Sequence, residues 1–188
     1  MTNLFALLEE PPRPWIDAEA LKEKYHQLSM RHHPDVAEGG GDFAEINRAY
    51  QTLADPVARL RHLLELEMPE ALARTQSVPE EIAEFFGSVA EAQQGIDRFL
   101  KKRRAAASPV AIALLSTEQY QQLDRAEEVI AKLHAKQEEL LAELREKDAL
   151  WYSDRAAALG ALPRLWQCLS YIAKWMGVLR ETVFRLAG

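Results

Sequence analysis

Apolar positions recur every three or four residues through most of the chain, and no stretch alternates apolar and polar residues as a half-buried strand would. The pattern predicts an all-α protein. A short helix over residues 3–8 (NLFALL) is closed by PPRPW at 11–15, because proline removes a backbone donor and clashes with the preceding turn. A second helix starts behind Asp17 as its cap, with Glu19 in the first turn at the positive end of the helix dipole. Leu21, Tyr25, Leu28 and His32 share its apolar face, and Pro34 ends it at or just before His33. Gly39-Gly40-Gly41 mark a turn, after which Asp42 and Glu45 open a third helix in the manner of a capping box. Phe43, Ile46, Tyr50 and Leu53 lie on one side of it. Asp55 then caps a fourth helix with Pro56 as its first residue and Leu60, Leu63 and Leu64 as its apolar edge.

From residue 69 onward the periods lengthen. Ser77 and Glu80 open a long helix carrying Ile82, Phe85, Phe86, Val89, Ile96, Phe99 and Leu100, with both Phe85 and Phe86 read as core. Ser116 and Gln119 open a second, with Leu123, Ile130, Leu133, Leu140, Leu144 and Trp151 in near-heptad spacing. Gly160 and Pro163 mark a turn into a third, whose stripe runs Leu165, Leu169, Ile172, Met176, Leu179, Val183 and Leu186. Three such stripes can be buried against one another. The expected organisation is a four-helix N-terminal domain over 1–68 and an antiparallel bundle of three long helices over 69–188.

Composition narrows the class. With 48% apolar and 28% charged residues the chain reads as an ordinary soluble protein, and its net charge of −6 argues against a dedicated nucleic-acid binder. The basic run Lys101-Lys102-Arg103-Arg104 reads as a solvated helix end that complements the dipole. Cys168 is the single cysteine, which excludes a disulfide framework and a cysteine-based zinc knuckle. The N-terminus lacks a basic leader, SPVAIALLS at 108–116 is too short to span a bilayer, and charges interrupt residues 165–186. A cytoplasmic protein with no membrane partner is expected.

The stretch YHQLSMRHHPD at 25–35 carries the candidate chemistry. Catalysis would need an aspartate oriented on the imidazole and a nucleophile or phosphate-binding loop, and the sequence nominates neither, so no enzyme is expected. His26, His32, His33 and Asp35 are donors for a metal, but His26 and His32 are six apart and point in different directions on a helix. His32 reads as an edge-of-core residue, and neither a metal nor a cofactor is expected. Docking of another protein remains, since Pro34 limits the backbone freedom lost when a hydrogen-bonding corner binds.

Y-x-x-L-x-x-x-x-H-P-D followed by AEINRAYQTLADPVAR resembles a J domain across residues 3–66. The resemblance implies that His33, Pro34 and Asp35 contact a DnaK-type chaperone ATPase and stimulate its ATP hydrolysis. Lys22, Lys24 and Arg31 on the positive side of the second helix would assist, Tyr25 would pack, and Asn47 would support the loop. Many J domains carry two consecutive basic residues where His26 and Gln27 stand here. Residues 1–68 hold 7 Lys and Arg against 12 Asp and Glu, a net of −5, so weak and salt-sensitive docking is expected.

NLFALLEEPPRPWIDAEAL, INRAYQTLADPVARLRHLLELE and the helical C-terminal part are similar to the HscB (Jac) branch, the co-chaperones of iron–sulfur cluster assembly. Val36-Ala37 departs from that branch, which has a hydrophobic-containing HPDxF. The branch implies a bundle that binds the iron–sulfur scaffold protein and delivers it to the chaperone. Two other roles stay open. One is a J-domain adaptor for a different client, or a bundle that self-associates along the Leu123–Trp151 stripe. The other is a membrane-surface role for the last helix, with Trp166, Trp175, Lys174, Arg180 and Arg185 as anchors.

Overall fold

The computed structural model describes residues 2–32, 41–73 and 77–187, and all regular structure among them is α-helix. The first four helices are α1 (Leu4–Leu7), α2 (Ala18–Arg31), α3 (Gly41–Ala54) and α4 (Pro56–Glu67). A short α5 (Pro69–Ala73) follows, then α6 (Glu80–Ala105), α7 (Pro109–Leu114), α8 (Ser116–Ala149) and α9 (Arg155–Ala187).

Most of these boundaries have local causes. Asn3 caps α1 by accepting from the N–H groups of Phe5 and Ala6, at 3.0 and 3.4 Å. Asp17 caps α2 through Ala20 at 2.9 Å and Asp55 caps α4 through Ala58 at 2.7 Å, as the sequence predicts. The third helix opens at Gly41, one residue ahead of the Asp42 start signal.

Two expected boundaries are corrected and a third stands. Ser77 does not cap α6: the helix starts at Glu80 behind Pro79, which makes no side-chain capping bond and holds the residue before it out of the helical region. The start of α8 at Ser116 stands as expected, but the Ser116 hydroxyl donates back to the Ala113 carbonyl at 2.8 Å, and the apolar run before it is itself a helix, α7, capped by Ser108. Gly160 and Pro163 do not form a turn; α9 runs through both. The turn lies earlier, at Leu150–Asp154, where Asp154 accepts from the Ala157 N–H at 3.1 Å. One interior proline costs a helix about 3 kcal/mol. Here an alanine-rich first turn and the burial of Ala158, Leu162 and Leu165 around Pro163 offset that cost.

The chain divides into two compact units: Met1–Gln76 with Leu141–Trp166, and Ser77–Leu140 with Gln167–Gly188. In the first, α1 and α2 pack on α3, and α3 on α4. Its core includes Phe5, Leu8, Leu21, Leu28, Leu53 and Leu60, all nearly or fully buried. The PPRPW connection is fastened to the last turns of α8 and to the turn that follows it, within this unit. Arg13 donates through Nε to Asp148 Oδ1 at 3.0 Å and through a second N–H to Oδ2, while the Trp15 N–H reaches the same Oδ1 at 3.1 Å. The Trp151 indole donates to the Pro12 carbonyl at 2.8 Å. The Trp15 ring carries the Arg145 guanidinium at 4.2 Å and that of Arg59 at 5.7 Å. Buried Arg59 also donates to the carbonyls of Pro14 and Leu53, at 2.9 and 2.6 Å.

In the second unit the hydrogen bonds fix the helix directions. Gln167 of α9 donates to the Ser77 carbonyl just ahead of α6, and Cys168 donates to Glu81 in its first turn at 3.4 Å. At the far end Arg103 of α6 and Gln119 of α8 both donate to the Leu186 carbonyl of α9. Thus α6 and α9 run the same way and α8 runs against both. Ile82, Val89, Ile96 and Phe99 are buried along α6, but Phe86 is 60% exposed and Phe85 half-buried, so the reading of Phe86 as core is overturned. Ile82, Val89 and Ile96 recur every seven residues with Ala92 and Phe99 beside them, and Phe86 lies on the outer edge of that narrow stripe. Trp175 is buried in this unit, which removes it as a surface anchor.

Candidate functional site

His33, Pro34 and Asp35 lie outside the described residues; the helices on either side of them are described. Capping ends α2 at His32, whose N–H donates to the Leu28 carbonyl at 3.0 Å, and α3 begins at Gly41. Between these helices the Tyr25 hydroxyl donates to Asn47 Oδ1 at 3.3 Å, and the Tyr25 ring stacks on Tyr50 with centroids 4.2 Å apart. Tyr25 and Asn47 are therefore bonded to each other, joining α2 to α3 two turns below the end of α2. A half-buried hydroxyl paired in this way avoids the desolvation cost of an unmade bond, and contributes about 1 kcal/mol.

The three cations on α2 are not gathered on one face. Lys24 and Arg31 are seven residues apart and share an edge, where two acids of the α1–α2 corner meet them. Lys24 Nζ lies 2.6 Å from Glu10 Oε1 and donates to the Glu9 carbonyl at 3.1 Å, and Arg31 reaches Glu9 Oε1 at 3.4 Å. Lys22 lies roughly 160° round the helix from Lys24. It is exposed and has no ion-pair partner among the described residues.

The Lys24 contact has a structural use. Glu9 takes a left-handed conformation with φ 53°, while its N–H and that of Glu10 close the end of α1 onto the Ala6 and Phe5 carbonyls. Glycine usually fills such a position, and an ammonium on the Glu9 carbonyl helps to hold the corner. Glu10 is mostly buried, which shields its bond to Lys24; Arg31 and Glu9 are both more than half exposed, and their pair is weak. The sevenfold spacing of Lys24 and Arg31 was visible in the sequence. Their acidic partners were not, because Glu9 and Glu10 sit in a proline-rich connection without periodicity.

Among the described residues no group of three or more His, Cys, Asp or Glu side chains could hold a metal ion, and no helix is long and apolar enough to cross a membrane. What the site offers is a rigid pair of helices presenting a short connection, with exposed cations beside it.

The DnaJ domain family model matches residues 4–62, the span of α1 to α4 that holds this helix pair. Mitochondrial J-type co-chaperone JAC1 of Saccharomyces cerevisiae is 42% identical over 52 residues, 27% of this chain and 28% of that one. Co-chaperone protein HscB of Proteus mirabilis is 38% identical over 74 residues, 35% of this chain and 43% of its own length. These matches span less than half of either relative. The fold match is broader: chaperone HscB from Vibrio cholerae superposes with a TM-score of 0.58 and 22% identity, covering 98% of this chain and 99% of that one. Residues 4–62 thus form a J domain, and the whole chain has the fold of HscB. Human HscB gives a TM-score of 0.53 at 20% identity, over 98% of this chain and 82% of its own. The long α6, α8 and α9 helices thus belong to the HscB-type fold as much as the J domain does.

Proposed function

We propose that this J-domain protein is a co-chaperone that stimulates ATP hydrolysis by a DnaK-type chaperone and delivers to it an iron–sulfur scaffold protein. The observation that carries the reading is the bonded pair of α2 and α3 on either side of His33-Pro34-Asp35. Helices tied by Tyr25, Asn47 and Tyr50 lose little further entropy on docking. In this reading His33, Pro34 and Asp35 make the essential contacts. Arg31 and Lys22 supply charge that is open to a partner, whereas Lys24 must first leave Glu10.

The scaffold assignment rests on the HscB-type fold. Phe86, exposed on α6, is the apolar residue we assign to scaffold contact. We place the protein in the cytoplasm, the compartment of the DnaK-type partner we assign to it; JAC1, by its name, works in the mitochondrion.

Single-turnover ATP hydrolysis by the organism's DnaK-type chaperones tests the proposal. The native protein should accelerate hydrolysis and His33→Gln should not. Adding the scaffold protein should give a further, more than additive rise that Phe86→Ser reduces. A chaperone panel that stays unresponsive at low salt would end the co-chaperone reading. Stimulation without synergy would leave the J domain in place and point to another client.

A further inference from the structure

We propose that the end of the second unit, where α6, α8 and α9 meet, binds an anionic lipid surface. Nine large hydrophobic side chains among the described residues are exposed, and five of them lie at this end: Val110, Ile112, Leu114, Tyr120 and Phe184. Leu114 and Phe184, at 79% and 80%, are the most exposed of the nine. The shared Leu186 carbonyl, which takes bonds from Arg103 and Gln119, brings the three helix ends to one place. Clustering on this scale marks an interaction surface and not scattered exposure.

The charge at this end is opposite to that of the chain. Residues 98–117 hold Arg98, Lys101, Lys102, Arg103 and Arg104 and no acid, although the whole protein carries −6. Lys102 is paired with Glu118 at 2.7 Å and Arg103 is turned to Leu186, which leaves Arg98, Lys101 and Arg104 exposed with no ion-pair partner among the described residues. The two chemistries are also separated along the chain. Three of the five apolar side chains occupy α7, in the connection between α6 and α8, and the basic ones lie along the last turns of α6. Exposed aliphatic residues beside a basic collar match the layers of a bilayer surface, acyl chains beneath anionic headgroups. An acidic protein surface has no such layering, and two copies of this end would repel each other through their collars.

Flotation of the full chain with phosphatidylcholine vesicles, and with vesicles that also contain phosphatidylglycerol, tests the assignment at low and high salt. We expect co-flotation with the anionic vesicles at low salt, weakened by added salt, and little with the neutral ones. The double variants Lys101→Glu with Arg104→Glu, and Ile112→Glu with Leu114→Glu, should each lower binding roughly tenfold. All four positions are exposed, so both variants should keep the native melting curve. His33→Gln should float like the native chain, which separates this site from the chaperone reading. Absence of flotation, equal binding to neutral vesicles, or binding unaffected by both double variants would overturn the proposal. So would salt-sensitive self-association that the variants abolish in the absence of lipid, which would assign this end to a second copy.

Discussion

The PPRPW connection of the first unit and the basic end of the second use the same cations in opposite ways. In the first, Arg13 and Arg59 are spent on neighbours: a carboxylate, two carbonyls and two aromatic rings. In the second, Lys101 and Arg104 stand in solvent beside uncovered apolar side chains. Charge that is desolvated must be satisfied within the fold, so it stabilises only in its one geometry. Charge left in solvent contributes little to stability and stays available to a partner. The difference separates a structural joint from an interaction surface, and mutation can test it.

The largest effect is expected at Arg59, which is 3% exposed. Arg59→Ala removes two bonds to buried carbonyls and the cation over Trp15, and leaves a cavity; unfolding in urea should show a loss of about 3–5 kcal/mol. Burial lowers the Arg59 pKa to about 10, with Asp55 and Asp148 opposing the shift, so the guanidinium is charged at neutral pH. Asp148→Asn comes next. It weakens the Arg13 pair and leaves the Trp15 N–H with a poorer acceptor, at a cost of about 2–3 kcal/mol, discounted because Arg13 is a third exposed. A cost below about 0.5 kcal/mol would show that the joint contributes no stability, and the contrast with the basic end would fail.

That joint marks the limit of what the sequence could show. Local signals read well: Asp17, Asp55-Pro56 and the apolar faces of α2 to α4 each act within a few residues, and they placed the J-domain helices closely. The motif around residues 25–35 pointed to docking because its neighbours carried a specific pattern. Asp148 offered no such sign, since it is a charged residue in a charged helix whose partner Arg13 lies 135 positions away. Gly160 and Pro163 misled for the converse reason. Their local cost is real, but side chains buried on both sides of Pro163 outweigh it. Phe86 was assigned to the core because its spacing fits an α6 stripe, and periodicity alone does not say how wide a face is covered.

A smaller effect, visible through pH, is expected at His62. Its Nε2 accepts the Leu4 N–H at 3.0 Å, which requires an unprotonated nitrogen, and its ring stacks on Phe5. Burial lowers its pKa, with Glu65 opposing and Arg48 adding to the shift. The unfolded chain therefore takes up the proton first, and stability is complete above the ordinary histidine value of 6.5. As pH falls from there toward the lowered folded-state value, stability should decline. Urea midpoints of the native chain should drop between pH 7 and 5.5, while those of His62→Gln, which keeps an acceptor that does not titrate, should drop less. Parallel slopes would remove His62 from the pH response.

The smallest effect should come from the exposed collar. Lys101→Glu with Arg104→Glu is expected to change unfolding free energy by less than about 0.5 kcal/mol, because neither side chain has an ion-pair partner among the described residues to lose. Arg103→Gln sharpens the point within the same turn of helix. Its guanidinium is partly buried and donates to the Leu186 carbonyl, so its loss should cost about 1 kcal/mol although only one charge is removed. If the collar pair proved the costlier change, these cations would be structural, and the basic end would be a second joint like the one at Arg13.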